Sequence, residues 1–90
     1  MIIAIPTALR PYANKQSSFT VEAGTVSEAL HQLFASFPEL RKHLYSNEGK
    51  LRSFVNLYLN DDDIRYLQQE QTPVKNGDTL SIIPSIAGGK

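Results

Sequence analysis

The sequence contains no cysteine, and this absence excludes disulfide bonds, thiolate metal sites and a cysteine nucleophile. Charge of one sign is not in excess either, since nine Lys and Arg residues balance nine Asp and Glu residues. Because a nucleic-acid-binding surface usually carries a clear basic excess, we expect no nucleic-acid partner. Long hydrophobic runs are also missing, and this argues against a membrane partner.

What the sequence does contain is the composition of one ordinary small domain. Its 90 residues are 41% hydrophobic and 20% charged, which is enough for a single modest core. Residues 1–5 have no basic flank and are too short for a signal sequence. We therefore expect a cytoplasmic protein.

Chemical motifs of enzymes are not evident in the chain. We find no Ser-His-Asp arrangement, paired-carboxylate pocket or phosphate-binding loop. His31 and His43 lack metal-ligand spacing, and Asp61-Asp62-Asp63 lacks the EF-hand pattern and is interpreted as a solvated turn. The sequence thus predicts a protein that is not an enzyme and holds no metal or cofactor.

The strongest local signal is a helix start at Thr25-Val26-Ser27-Glu28. In this capping box the Thr25 hydroxyl accepts from the Glu28 amide, and the Glu28 side chain reaches back to the Thr25 amide. One helical face then collects the apolar residues Val26, Ala29, Leu30, Leu33, Phe34 and Phe37. Because Pro38 disfavours helix before it, we predict a helix from Val26 to about Ser36, with one short further turn at 39–44.

Strand patterns surround this helix. Short β-branched or alternating runs predict strands at 2–5, 19–22, 54–60, 64–66 and 79–84, with a connection at 9–16 and turns at 61–63 and 76–77. A helix with one apolar stripe needs a sheet to cover it. We therefore predict an α+β fold of the β-grasp (ubiquitin-like) type, a mixed sheet around one main helix with the last strand central. Residues 1–84 form the domain and 85–90 a flexible tail.

The tail ends Ala87-Gly88-Gly89-Lys90. Two glycines make a thin thread, because they have no Cβ, and residues 85–89 can extend roughly 17 Å. A loose terminus without function is the simpler interpretation of such a segment. A rigid domain directly before the glycines favours a thread that carries a carboxylate into another protein's active site.

Three segments resemble the ubiquitin-like sulfur-carrier proteins of the MoaD/ThiS superfamily. They are residues 5–12, residues 54–65 with the pattern Phe-Val-Asn-Leu-Tyr-Leu-Asn-Asp-Asp-Asp-Ile-Arg, and residues 76–89 with the Gly-Asp turn and the di-glycine. The middle segment is most similar to the CysO type, which serves cysteine synthesis. The resemblance extends over nearly the whole chain.

The resemblance implies a sulfur carrier whose C-terminal Gly89 is adenylated by an E1-like enzyme and converted to a thiocarboxylate. Ala87 and Gly88 belong to the threading tail. A cysteine synthase-like enzyme is the implied acceptor of the sulfur. We expect the activating enzyme to dock on the sheet face and strand end next to the tail. The candidates are Tyr58, Ile83 and Ile86, which are apolar or aromatic and should point away from the helix, together with Pro84.

Lys90 departs from the family pattern, in which the mature chain ends at the second glycine. It is either a residue removed by a JAMM-type zinc peptidase, a remnant of cloning, or the mark of an inactive carrier. Three alternatives to cysteine synthesis also stay open. They are a carrier for molybdopterin or thiamine synthesis, a ubiquitin-like protein modifier, and a β-grasp binding module whose tail has no function.

Overall fold

The computed structural model describes residues 1–49, 51–52 and 55–84. Strand β1 (Ile2–Ala4) and strand β2 (Ser18–Thr20) are joined through a 3-10 helix at Thr7–Ala13. Helices α1 (Val26–Ser36) and α2 (Pro38–Leu44) follow. Strands β3 (Val55–Leu59), β4 (Asp62–Asp63) and β5 (Thr79–Pro84) complete the sheet, with 3-10 helices at Ile64–Tyr66 and Gln69–Gln71.

The five strands form one mixed sheet in the order β2-β1-β5-β3-β4. β1 and β5 pair in parallel at its centre, while β3 pairs with β5 and β4, and β1 pairs with β2, in antiparallel ladders. Such a sheet with its last strand central, wrapped around α1, confirms the predicted β-grasp fold. None of the helices that the structure describes is long and apolar enough to cross a membrane.

The core lies between one face of the sheet and the helices. α1 contributes Leu30 and Leu33, and β5 contributes Leu80 and Ile82, all with at most 2% of their surface exposed. The other fully enclosed large side chains are Ile3, Ile5, Val26, Leu40, Leu44 and Leu57. Phe34, on the predicted apolar face of α1, packs partly buried against this core and meets Tyr45 edge-to-face at 5.4 Å.

The start of α1 confirms one half of the predicted capping box and corrects the other. The Thr25 hydroxyl accepts from the Glu28 amide at 3.2 Å, as the pattern predicts. The Glu28 carboxylate accepts from the Gly24 amide at 2.7 Å, one residue earlier than predicted. The helix therefore begins where the sequence indicates. The bond that the Glu28 side chain accepts comes from the amide one residue before Thr25.

The predicted strand at 64–66 is wrong, because Ile64–Tyr66 is a 3-10 helix. The Asp63 carboxylate accepts from the Arg65 amide at 2.9 Å, and the Leu67 amide donates to the Ile64 carbonyl at 3.0 Å. Because of these local bonds, the chain turns into a 3-10 helix at this point and does not continue as a strand. The fourth strand lies earlier, at Asp62–Asp63, inside the segment predicted as a turn.

Three other segments are more helical, or shifted, relative to the prediction. The connection at 9–16 contains most of the 3-10 helix Thr7–Ala13, and the further turn at 39–44 is the seven-residue helix α2, which starts at Pro38. Strand β2 is centred one to two residues before the predicted segment, at Ser18–Thr20.

Candidate docking surface

The helices cover one face of the sheet, and we call the opposite side the outer face. Side chains alternate along each strand, so the residues between the buried positions point to this side. β5 shows the alternation clearly, since Leu80 and Ile82 are buried while Ile83 is 47% exposed. The strand register assigns ten residues to the outer face: Ile2, Ala4, Ser18, Thr20, Asn56, Tyr58, Asp63, Thr79, Ser81 and Ile83.

Two of the predicted docking residues lie together on the outer face. Tyr58 of β3 pairs with Ser81 of β5, and Ile83 pairs with Asn56 two positions further along. Residues at such diagonal positions are about 7–8 Å apart, within reach of an aromatic side chain. Tyr58 is half-buried, and Ile83 is exposed.

Pro84 is placed differently from Tyr58 and Ile83. It pairs with Val55, whose side chain is buried in the core, so the register directs Pro84 to the helix side of the sheet. It is partly buried at the last position of β5. Ile86, Ala87, Gly88, Gly89 and Lys90 lie outside the described residues.

Sequence reasoning missed Ile2 as a surface residue. Its side chain is 44% exposed on the outer face, next to Thr79 in the parallel ladder. The signal was present in the alternation of residues 2–5, because Ile3 and Ile5 are both buried. The outer face therefore carries exposed isoleucines on both central strands.

Asp63 and Arg65 form an ion pair over the outer face. Arg65 Nη2 donates to Asp63 Oδ2 at 2.7 Å, and Arg65 Nε lies 3.2 Å from both Asp63 carboxylate oxygens. Nη2 also donates to the Asn56 amide oxygen at 2.6 Å. The Asp63 side chain is 7% exposed and the Arg65 side chain 59% exposed. The Asp63 carboxylate is therefore nearly buried, and the Arg65 guanidinium lies over it on the solvent side.

The pair shifts the acid–base behaviour of both groups. Hydrogen bonds from the Arg65 side chain, and then from its amide, hold the pKa of Asp63 below its ordinary value. The same carboxylate raises the pKa of Arg65 further above the range in which arginine could lose its proton. Asp63 thus departs from the solvated-turn interpretation of residues 61–63, whereas Asp61 and Asp62 are exposed as expected.

A cleft of about 390 Å³ opens beside β3 and β4, and Arg65 is one of the residues that line it. Leu51, Val55, Leu57 and Ile64 give it an apolar floor, and the charged residues Arg52, Asp63, Arg65 and Glu70 stand around it. Near the cleft the Tyr45 hydroxyl donates to the Glu70 carboxylate. Burial, followed by this bond to a carboxylate, raises the pKa of Tyr45.

The two histidines lie on the surface, as predicted. His31 and His43 are both exposed, and the His43 ring stacks on Tyr12 with ring centres 4.0 Å apart. Among residues 1–49, 51–52 and 55–84, no three His, Cys, Asp or Glu side chains are grouped closely enough to hold a metal ion.

Comparison with known proteins places this chain in one family. The model of the ThiS family matches residues 3–89. The chain is 36% identical to the sulfur carrier protein CysO of Mycobacterium tuberculosis over 89 residues, which cover 97% of this chain and 96% of that protein.

Two further relatives are similar over much of the chain. CysO in the crystal structure of the Amycolatopsis orientalis BexX/CysO complex superposes with a TM-score of 0.87 at 35% identity, and the match covers 98% of each chain. Ubiquitin-related modifier 1 of Encephalitozoon cuniculi is 35% identical over 65 residues, which cover 72% of this chain and 68% of that protein. The chain described here therefore belongs to the ThiS family.

Proposed function

We propose that this protein is a sulfur carrier, most directly for cysteine biosynthesis, and that the sulfur is carried on the carboxyl group of Gly89. The observation that supports this proposal most is the match of the family model, which runs to Gly89 and leaves out Lys90. The similarity to CysO over nearly the full length favours the cysteine pathway over molybdopterin or thiamine synthesis.

The chemistry is supplied by partner enzymes. An E1-like enzyme joins the Gly89 carboxylate to the α-phosphorus of ATP, and pyrophosphate leaves. A sulfur nucleophile then attacks the activated carbonyl carbon, AMP leaves, and a thiocarboxylate remains. A cysteine synthase-like enzyme accepts the sulfur. The protein contributes the thread and a surface for recognition, so its own lack of cysteine is no obstacle.

Lys90 must be absent for this reaction, because its peptide bond occupies the Gly89 carboxyl group. We propose that a JAMM-type zinc peptidase removes it, acting on a substrate whose di-glycine fits a narrow channel. The 90-residue chain is then a precursor and the 89-residue chain the carrier.

A loading assay tests the proposal. The 89-residue and 90-residue chains are each incubated with the activating enzyme, ATP and sulfide, and their intact masses are compared. We expect the shorter chain to exchange one oxygen for sulfur and the longer chain to stay unchanged. Gly89→Ala in the shorter chain should impair loading, because the added Cβ obstructs the channel. Sulfur on a chain that still holds Lys90 would contradict the precursor proposal.

We propose that the activating enzyme docks on the outer face around Tyr58 and Ile83, with Pro84 and Ile86 contributing near the tail. Ile83→Asp should weaken binding to the enzyme about tenfold or more, since it puts a charge into a desolvated apolar contact, and leave the melting temperature nearly unchanged. Ser27→Asp, exposed on the first turn of α1, is the matched control. Equal affinity of Ile83→Asp and the parent chain would exclude Ile83 from the interface.

A protein-modifier function is the second candidate, and the similarity to ubiquitin-related modifier 1 favours it. In that case Gly89 is joined to lysine side chains of other proteins. Mass spectrometry of cellular proteins would detect isopeptide adducts that end in the di-glycine. A binding module with a tail of no function makes the opposite prediction, because deleting residues 88–90 would then leave its activity intact.

A further inference from the structure

The outer face carries very little charge. Of its ten residues, Asp63 alone carries a charge at neutral pH, and the Arg65 guanidinium covers it. The other nine are isoleucine, alanine, asparagine, tyrosine, serine or threonine. Among the strand residues that the structure describes, this face therefore presents to a partner a neutral surface with one charged side chain, that of Arg65, above it.

The ion pair is oriented, so its two charges do not cancel for a partner. Asp63 lies beneath at 7% exposure, and Arg65 lies above at 59% exposure. A group arriving from outside comes closer to the guanidinium than to the carboxylate, and Coulomb interactions favour the nearer charge. The pair therefore presents its positive end outward.

Arg65 is also held in a fixed direction. Its Nε and Nη2 donate to Asp63, and Nη2 donates to Asn56, so one edge of the guanidinium faces the sheet. In the part of the chain that the structure describes, Nη1 makes no hydrogen bond. Nη1 can thus donate to a further carboxylate from the outer side without loss of the bonds that orient the guanidinium.

The register places this cation at the proposed docking residues. Asp63 pairs with Tyr58, and Asn56 pairs with Ile83. Because Arg65 bonds to both Asp63 and Asn56, its guanidinium lies across the two cross-strand pairs that contain Tyr58 and Ile83. Apolar contact and a directed donor therefore lie side by side.

We infer that Arg65 is a recognition residue that binds an Asp or Glu carboxylate on the activating enzyme, at the edge of the contact made by Tyr58 and Ile83. This inference rests on the proposed function, because it names the chemistry of the enzyme surface that meets the carrier. The carboxylate adds direction and association rate to an otherwise neutral apolar contact.

Stopped-flow association of the full chain with its activating enzyme tests the inference. Arg65→Gln removes the charge and keeps an N–H donor for Asp63 and Asn56. We expect it to slow association about tenfold at low salt, and to remove most of the decrease in rate that salt causes in the parent. Lys42→Gln, the same change of charge on an α2 side chain that is 76% exposed, should leave the rate nearly unchanged. Arg65→Lys should fall between the parent and Arg65→Gln.

Asp63→Asn shows whether Arg65 binds the partner or only stabilises the fold. If the pair only fastens β4 to β3, then Asp63→Asn and Arg65→Gln slow association equally, and the inference is overturned. If Arg65 binds a carboxylate, Asp63→Asn keeps fast, salt-dependent association because the guanidinium charge is no longer opposed. Circular dichroism and thermal unfolding of each variant check that the domain stays folded.

Sulfur loading of the 89-residue forms distinguishes failure of the inference from failure of the proposed function. A parent chain that neither binds the enzyme nor gains sulfur overturns both. The parent and Arg65→Gln chains are compared at a subsaturating concentration of carrier. If both gain sulfur at the same rate, the role of Arg65 is overturned and the proposed function is not. If Arg65→Gln loads normally but passes its sulfur more slowly to the accepting synthase, Arg65 does not bind the activating enzyme, and the assignment of its partner is overturned.

Discussion

Leu33 shows how single side chains of α1 hold the domain together. It has no exposed surface and packs in the core that also contains Leu30 and Leu80. Leu33→Ala removes buried methyl groups and leaves a cavity, so we expect a loss of about 2–5 kcal/mol in the free energy of unfolding. Urea unfolding measures this, with His31→Ala on the exposed side of the same helix as the control. A loss within error for Leu33→Ala would contradict its burial.

Asp78 is a second residue with a measurable role, at the turn before β5. Its carboxylate accepts from the Asn60 side chain at 3.3 Å and from the Lys75 amide at 3.0 Å. These bonds hold its pKa below the ordinary value of 3.8. The group therefore contributes stability above its unfolded pKa, and this contribution is lost as the pH falls through the lower, folded pKa.

Replacing Asp78 with Asn should accordingly make the acid-induced loss of stability less steep below about pH 4. Thermal unfolding between neutral and strongly acidic pH follows the effect. Asp61→Asn, at an exposed turn position, is the control. Curves that stay parallel for Asp78→Asn and the parent would show that Asp78 does not take part in acid unfolding.

Residue-level environments could be predicted from the sequence where alternation alone decides them. The buried positions of β3 and β5, and the exposure of Ile83, follow from the period of two. Asp63 could not be predicted in this way, because its burial depends on Arg65 and on Asn56 from another strand. The bonds between Asp63 and Arg65 are local, but the bond from Arg65 to Asn56 forms only when β4 pairs with β3.

At the scale of the element, the N-terminal cap of α1 is the best test. The Thr25 hydroxyl satisfies the Glu28 amide, one of the helix donors that lack a partner within the helix. Thr25→Ala should lower the free energy of unfolding by about 1 kcal/mol. Chemical denaturation would measure the loss, and Ser27→Ala at an exposed position in the first turn serves for comparison. If both variants lose equally little, the cap contributes no stability.

The elements that could be predicted are those whose sequence patterns are local. α1 has a cap, an apolar face and a terminating proline, and β5 has a β-branched run after an Asn-Gly turn. The segment 64–66 has β-branched and aromatic character, yet it forms a 3-10 helix because Asp63 caps it. The two-residue strand β4 exists only through its pairing with β3, which no local pattern specifies.

For the whole molecule, the extent of the folded unit can be tested by shortening the chain. The described core residues all precede Pro84, and β5 ends there. A chain that ends at residue 84 should therefore melt at nearly the same temperature as the full chain. A decrease of more than about 4 °C, which corresponds to roughly 1 kcal/mol for a domain of this size, would mean that residues 85–90 belong to the folded unit.

The arrangement of the molecule followed from one requirement, that the apolar stripe of α1 be covered by a sheet. This requirement predicts the mixed sheet, and the β-branched run at 79–84, which favours burial, predicts that the last strand is central. It does not specify the outer face, because surfaces that bind partners do not contribute to the core. Ile2 and Arg65 were therefore not recognised as surface residues beside Tyr58 until the register was known.

The parallel pairing of β1 with β5 has a consequence for the order of events during synthesis. The two strands come from opposite ends of the described chain, so the centre of the sheet closes only after nearly all of it has been made. Closing so long a loop is entropically costly and slow. Until β5 inserts, Tyr58 and Ile83 are not neighbours, although the glycine thread already exists in a completed chain. An activating enzyme that reads this surface would thus reject newly made or damaged chains and consume ATP only on molecules that have finished folding.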